Sequence, residues 1–159
     1  MTQEQIKEEI RKQCKELGLD ETLALAIAKV ESNYIYDAVR HEPAFRYSLN
    51  IEDFARKHVI SQDTEKAFQS MSLGPLQVMG LVIRENGFKG PLHTLIPKAS
   101  ETINYALKHL KKLCNRYENE DYIISAYNAG SVRKIGNTFS NQKYVDKVKA
   151  ELVKIRLSP

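Results

Sequence analysis

Residues 21–32 read ETLALAIAKVES. From Leu23 to Val30 the only charge is Lys29, so a helix here is apolar around most of its circumference. Such a helix is stable only when other elements surround it. Asp20 supplies a side-chain N-cap for its first turn. The rest of the chain therefore has to supply the helices that bury this one. Ile6, Ile10, Cys14 and Leu17 form a stripe at helical spacing that Gly18 stops. A second stripe, Ile103, Leu107, Leu110 and Cys114, predicts a long helix over about 98–117. Further helices are expected from about Glu120 to Ala129, with Gly130 as C-cap, and from about Gln142 to Arg156. Two short ones are expected over 51–58 and 63–71, the latter capped by Ser61 or Asp63.

The middle of the chain is less regular. Residues 33–50 are rich in Tyr and Arg, and Pro43 argues against a helix through them. Gly74-Pro75 reads as a turn that opens a helix, with Leu76, Met79, Val82 and Ile83 on its buried face and Asn86-Gly87 at its end. Residues 87–97 read as a loop. No repeat, low-complexity linker or domain boundary interrupts the pattern. The expectation is one all-α domain over residues 1–159, with at most a short hairpin in the irregular region.

The charge balance excludes little. Twenty-four Lys and Arg stand against twenty Asp and Glu, a net charge of +4, which suits an anionic partner without choosing one. Lys clusters at 108, 111 and 112 and at 143, 147 and 149 read as solvated helix faces. No recognition-helix motif accompanies them, so no nucleic-acid partner is expected. The N-terminal MTQEQIKEEIRKQCKELGL is charged and amphipathic, with no apolar h-region, so no signal peptide is expected. No stretch reaches membrane-spanning length. Cys14 and Cys114 lack metal-like neighbourhoods and read as reduced thiols; a disulfide joining their two helices is the alternative. No His or Cys spacing suits zinc.

Glu31 ends the apolar helix on the face of Ala24, Ile27 and Ala28. A carboxyl there is poorly solvated and faces the negative end of the helix dipole. Both effects favour the protonated form, the property a general acid needs. The other reading is that the chain turns at Asn33 and Glu31 reaches solvent.

Three segments, in order, weigh on that choice. Glu31-Ser32 resembles the Glu-Ser pair that closes a buried helix in the lytic transglycosylase family of the soluble-transglycosylase type. Gly74-Pro75-Leu76-Gln77-Val78-Met79 is similar to that family's Gly-Leu-Met-Gln-(Ile/Val)-Met segment. Ser125-Ala126-Tyr127-Asn128-Ala129-Gly130 matches its Ala-Tyr-Asn-Ala-Gly segment, and Tyr144-Val145-Asp146-Lys147-Val148 looks like its closing Tyr-Val-x-x-Val. The resemblance spans roughly residues 20–150, and its strength lies in the order of the motifs.

The resemblance implies a lysozyme-like α fold, here a monomer, that cleaves the MurNAc–GlcNAc β-1,4 bond of peptidoglycan and leaves a 1,6-anhydro-MurNAc end. It implies Glu31 as acid and then base, with no cofactor and no second protein carboxylate. Gln77 would bind sugar hydroxyl or N-acetyl groups, and Tyr127 would donate its hydroxyl to Glu31. Asn128 would bind substrate or cap the helix, Met79 would offer an apolar platform for a sugar ring, and Ser32 would border the site. Each also has a plain structural reading: an exposed first-turn Gln77, a core Tyr127, a capping Asn128, a core Met79. The substrate places the activity at the bacterial wall, on its periplasmic or extracellular face; phage lysis, a phage tail, or a secretion or conjugation apparatus would each bring the protein there, and the sequence does not choose among them.

Two departures stand out. Pro75-Leu76 replaces the usual Leu-Met before Gln77. About forty residues separate Glu31 from Gly74, roughly twice the family's usual spacing. The added stretch AVRHEPAFRY looks like an Arg-(Tyr/Phe)-Glu-Pro-x-(Phe/Trp) element of a subset of such proteins, and is expected to wall the groove. Within it Glu42 either pairs with Arg40 or Arg46, the simpler reading, or faces Glu31 and guides a water, which would make the protein a hydrolytic muramidase. A wall-binding protein that retains the groove without catalysis is the remaining alternative.

Overall fold

The computed structural model describes residues 1–158. Helix α2, Glu21–Ser32, lies at the centre, with Leu23 through Ala28 buried without a break. Helix α1, Gln3–Leu17, packs along it and buries Ile6, Ile10 and Cys14. Thr2 starts α1 with a capping box shared with Gln5, and Gly18 ends it at φ 62°. Helix α6, Ala99–Arg116, packs on α1; helix α7, Glu120–Ala129, packs on α6; helix α8, Gln142–Leu157, packs on both α7 and α2. Thus α1 and α8 cover α2 directly, and α6 and α7 close the core cluster behind them. The arrangement is all-α and lysozyme-like, as expected. No helix among the described residues is long and apolar enough to cross a membrane. Both cysteines are free, Cys14 fully buried and Cys114 half-buried.

The region between α2 and α6 departs from the helix expected at Pro75. Strands β1 (Val39–His41), β2 (Met71–Leu73) and β3 (Val78–Met79) form an antiparallel sheet in that order. Residues 74–77 are the turn of the β2–β3 hairpin, and helix α5 begins only at Gly80, running to Glu85. The reason is local. Gly74 sits at φ 73°, where an added Cβ would strike the Thr102 hydroxyl, and Gln77 sits at φ 52°. Two left-handed residues three apart reverse the chain and cannot start a helix. A second short hairpin, β4 (Lys134–Ile135) and β5 (Thr138–Phe139), follows α7.

Helices α3 (Ile51–His58) and α4 (Gln62–Gln69) carry the rest of the insertion. A buried polar network fixes them. Arg84 of α5 donates from Nε and Nη2 to the two carboxylate oxygens of Glu65 at 2.9 and 3.0 Å, and from Nη1 to the Phe88 and Gly90 carbonyls. Its guanidinium stacks 3.8 Å over the Phe54 ring. Gln69 donates to Glu65 and to the Leu49 carbonyl, and accepts from the Leu49 N–H, each within 2.9 Å. The Arg84 and Glu65 side chains are 0 and 1% exposed, so each charge is solvated only by the other and by these partners. Segment 42–50 is thereby tied to the core through Leu49.

Removing one member of such a pair leaves an unpaired buried charge. Glu65→Leu is expected to cost about 3–5 kcal/mol in urea unfolding. The double change Glu65→Leu with Arg84→Met should recover most of that loss, because both desolvated charges then vanish together.

Candidate active site

The end of α2, the face of the small sheet and the end of α7 enclose a cleft of about 720 Å³. Strand register explains one wall. Arg40 pairs across β1–β2 with Ser72, and Ser72 pairs across β2–β3 with Met79, so the three side chains share a face. All three line the cleft, and the Met79 sulfur accepts from the Ser72 hydroxyl at 3.2 Å. Segment 42–49 continues this wall with Glu42, Phe45 and Tyr47. The far side is built by His109, Tyr127, Asn128 and Arg133.

Glu31 lies at the floor, its side chain 6% exposed. Oε1 accepts from the Tyr144 hydroxyl at 2.7 Å. Oε2 lies 3.8 Å from Arg40 Nη2. Burial raises the Glu31 carboxyl above its ordinary pKa; the Tyr144 hydrogen bond and Arg40 oppose this in part, and Glu42 adds to it. The burial expected from helix periodicity is therefore present, and the reading in which Glu31 turns out to solvent is not.

The remaining expected residues fall into place unevenly. Tyr127 does not reach Glu31: its hydroxyl donates to the Leu76 carbonyl at 2.8 Å, in the β2–β3 turn that stands where a helix was expected. The donor to Glu31 is Tyr144, on α8. Ser32 is also turned away from the cleft. Its hydroxyl donates to the Pro75 carbonyl at 2.7 Å and accepts from the Ile35 N–H, clamping the end of α2 to that same turn. Gln77 lines the cleft but is buried, and its Nε2 donates to the Ala38 and Gly74 carbonyls. Its two amide hydrogens are thus committed to backbone, and Oε1 is what it offers a ligand. Asn128 is exposed at the rim, where its Oδ1 accepts from Asn141. Met79 is a cleft residue, half-buried. Glu42 makes an ion pair with Arg40 and also lines the cleft.

Three contributors escaped the sequence reading. Tyr144 was visible only as the first residue of the closing motif, with nothing to tie it to a glutamate 113 residues away. Arg40 was visible only as a neighbour of Glu42. His109 sets its ring 5.7 Å from that of Tyr127 at a tilt of 50°, and burial pushes its pKa down to about 4, so it is a neutral imidazole in the cleft. It lies off the apolar stripe of α6, and no local signal marks it.

The raised carboxyl has a consequence for stability. A carboxyl whose pKa is higher folded than unfolded contributes fully below the ordinary value near 4.5, and that contribution is lost as pH rises through the folded value. Glu31→Gln should therefore gain stability over the wild type as pH is raised from about 4 to about 7, read from urea midpoints at each pH. Tyr144→Phe removes a bond that favours the carboxylate and should enlarge the wild-type chain's loss over the same range.

A family model described as the Transglycosylase SLT domain matches residues 8–150. No curated protein and no solved structure gives a significant match. The match covers α1 through most of α8 and includes all four motif segments, from the Glu31-Ser32 helix end to Tyr144 beneath it. The chain belongs to the transglycosylase SLT domain family, whose chemistry is lytic cleavage of peptidoglycan.

Proposed function

We propose that this protein cuts the MurNAc–GlcNAc β-1,4 bond and leaves a 1,6-anhydro-MurNAc end, with Glu31 as the single acid and base. The observation that carries the reading is one desolvated, protonatable carboxyl at the floor of a cleft whose other carboxylate beside it, Glu42, is engaged by Arg40. Protonated Glu31 gives its proton to the glycosidic oxygen as the bond from C1 breaks. The oxygen of the sugar's own N-acetyl group supports the positive charge left at C1. The Glu31 carboxylate then takes the proton of the C6 hydroxyl as that oxygen bonds to C1. Glu31 ends as it began, and no water is consumed.

The surroundings suit both halves of this cycle. Burial favours the protonated form of Glu31 at the start. The Tyr144 hydroxyl holds Oε1 in place and steadies the carboxylate once the proton has left. Burial and the nearby Glu31 push the Tyr144 and Tyr127 phenols well above their ordinary pKa, so neither competes as an acid. Gln77 Oε1, neutral His109 and the Met79 side chain give the cleft hydrogen-bonding and apolar surface without charge, which fits a glycan backbone.

Hydrolysis is the second reading, because Glu42 lines the same cleft. The product decides between them. Purified peptidoglycan digested by the wild type should release muropeptides lighter by one water than hydrolytic ones, identified by mass. Glu31→Gln should reduce their release by roughly 10²–10⁴-fold. Products with ordinary reducing ends would make the protein a muramidase. No release of either kind, from folded protein on a wall that a known enzyme cuts, would sink the enzyme reading.

A further inference from the structure

The mechanism above leaves one group without a role. Arg40 stands on β1 with its Nη2 3.8 Å from Glu31 Oε2. A cation at that distance ordinarily holds a carboxyl ionised, the opposite of what an acid requires. Its Nε, however, donates to Glu42 Oε1. Glu42 is itself held at the backbone, where its N–H donates to the Ser70 carbonyl at 2.9 Å and its carbonyl accepts from Phe45 N–H at 3.0 Å. The anion that occupies Arg40 is therefore built into the start of the inserted wall.

We propose that Arg40 and Glu42 act together as positioning residues for Glu31: Glu42 holds the guanidinium at the edge of the buried carboxyl and takes up most of its charge. The proposal rests on reading Glu31 as the acid and base. Before proton donation, the paired guanidinium draws little on Glu31, which keeps its proton. After donation the same group lies close enough to steady the new carboxylate, together with the Tyr144 hydroxyl. The groups that face Glu31 are few. Tyr144 comes from α8, Tyr127 from α7, and Arg40 and Glu42 from β1 and the residue after it. Ser72, Gln77 and Met79 of the β2–β3 hairpin bring no charge, and His109 behind Tyr127 is neutral. The two phenols remain protonated near neutral pH. Glu85 and Arg133 also line the cleft, but Arg40 and Glu42 are the charged groups that act on Glu31, and their balance sets the field there. Their side chains are 52 and 36% exposed, so water screens that field and substitution leaves the core untouched.

The test titrates the Glu31 carboxyl in the full chain by carbon NMR and, separately, the alkaline limb of the pH profile of kcat/KM on peptidoglycan. Glu42→Gln releases the guanidinium toward Glu31, and both readings should move down by on the order of one pH unit. Arg40→Gln removes the cation and leaves the Glu42 charge unbalanced, so both should move up. Arg40→Lys, which keeps the charge, should return the midpoint toward the wild type. A brace that merely shapes the wall predicts lower activity with an unmoved midpoint in all three, and that result would overturn the proposal, as would shifts of the same sign for Glu42→Gln and Arg40→Gln. The titration needs no turnover. Opposed shifts in a protein that releases no product would uphold the pair and remove the transglycosylase reading alone.

Discussion

Burying α2 from all sides is the requirement that organises the molecule. A helix with six consecutive buried positions has no face to give to water; α1 and α8 pack directly on it, and α6 and α7, packed on those two, complete the core around it. The same desolvation acts on the last turn with opposite sign. It stabilises Leu25 and Ile27 by removing apolar surface from water, and it destabilises the ionised form of Glu31. Core and candidate acid are one physical fact. The left-handed Asn33 ends the helix just past Glu31, and Ser32 ties that end to the Pro75 carbonyl, so the carboxyl cannot swing out with a fraying terminus.

The other wall of the cleft comes from the long stretch between α2 and α6, and it is held by polar rather than apolar means. The Arg84–Glu65–Gln69 network reaches Leu49 at one end, and β1 with the Glu42–Ser70 backbone bond holds the other. A segment pinned at both ends presents Phe45 and Tyr47 to the cleft at little ordering cost when a ligand arrives. The geometry needs both halves: α2 and α8 bring Glu31 and Tyr144 together, and the inserted wall brings Arg40 and Glu42 up to them.

Much of this was legible in the residues. Apolar spacing located α2, α6, α7 and α8 and the end of α1 to within about two residues, because an amphipathic stripe or, in α2, a nearly continuous apolar run marks each of them. Spacing set Glu31 on the face of Ala24, Ile27 and Ala28 but left a turn to solvent open, and it was the order of the motif segments that favoured its burial. The turn at 74–77 was not legible. Pro75 suits a helix start, and only the left-handed Gly74 and Gln77, set by the close approach of Thr102 and by side-chain bonds to the Ala38 and Gly74 carbonyls, turn that stretch into a hairpin. Tyr127 was assigned to Glu31 because of its motif, yet the hairpin places the Leu76 carbonyl within its reach instead.

What the sequence by itself determined is the local physics: which helices form, which faces they bury, and that a glutamate must end the most buried of them. Those depend on residues three and four apart. Of the partners of that glutamate, Tyr144 comes from the last helix, 113 residues on, and Arg40, though close in sequence, stands on a strand that exists only because β2 pairs with it. Hydrogen bonds and ion pairs between distant residues leave no period to read. The tertiary structure alone decided that Tyr144, not Tyr127, holds the carboxyl, and that Arg40, an expected partner of Glu42, stands beside Glu31.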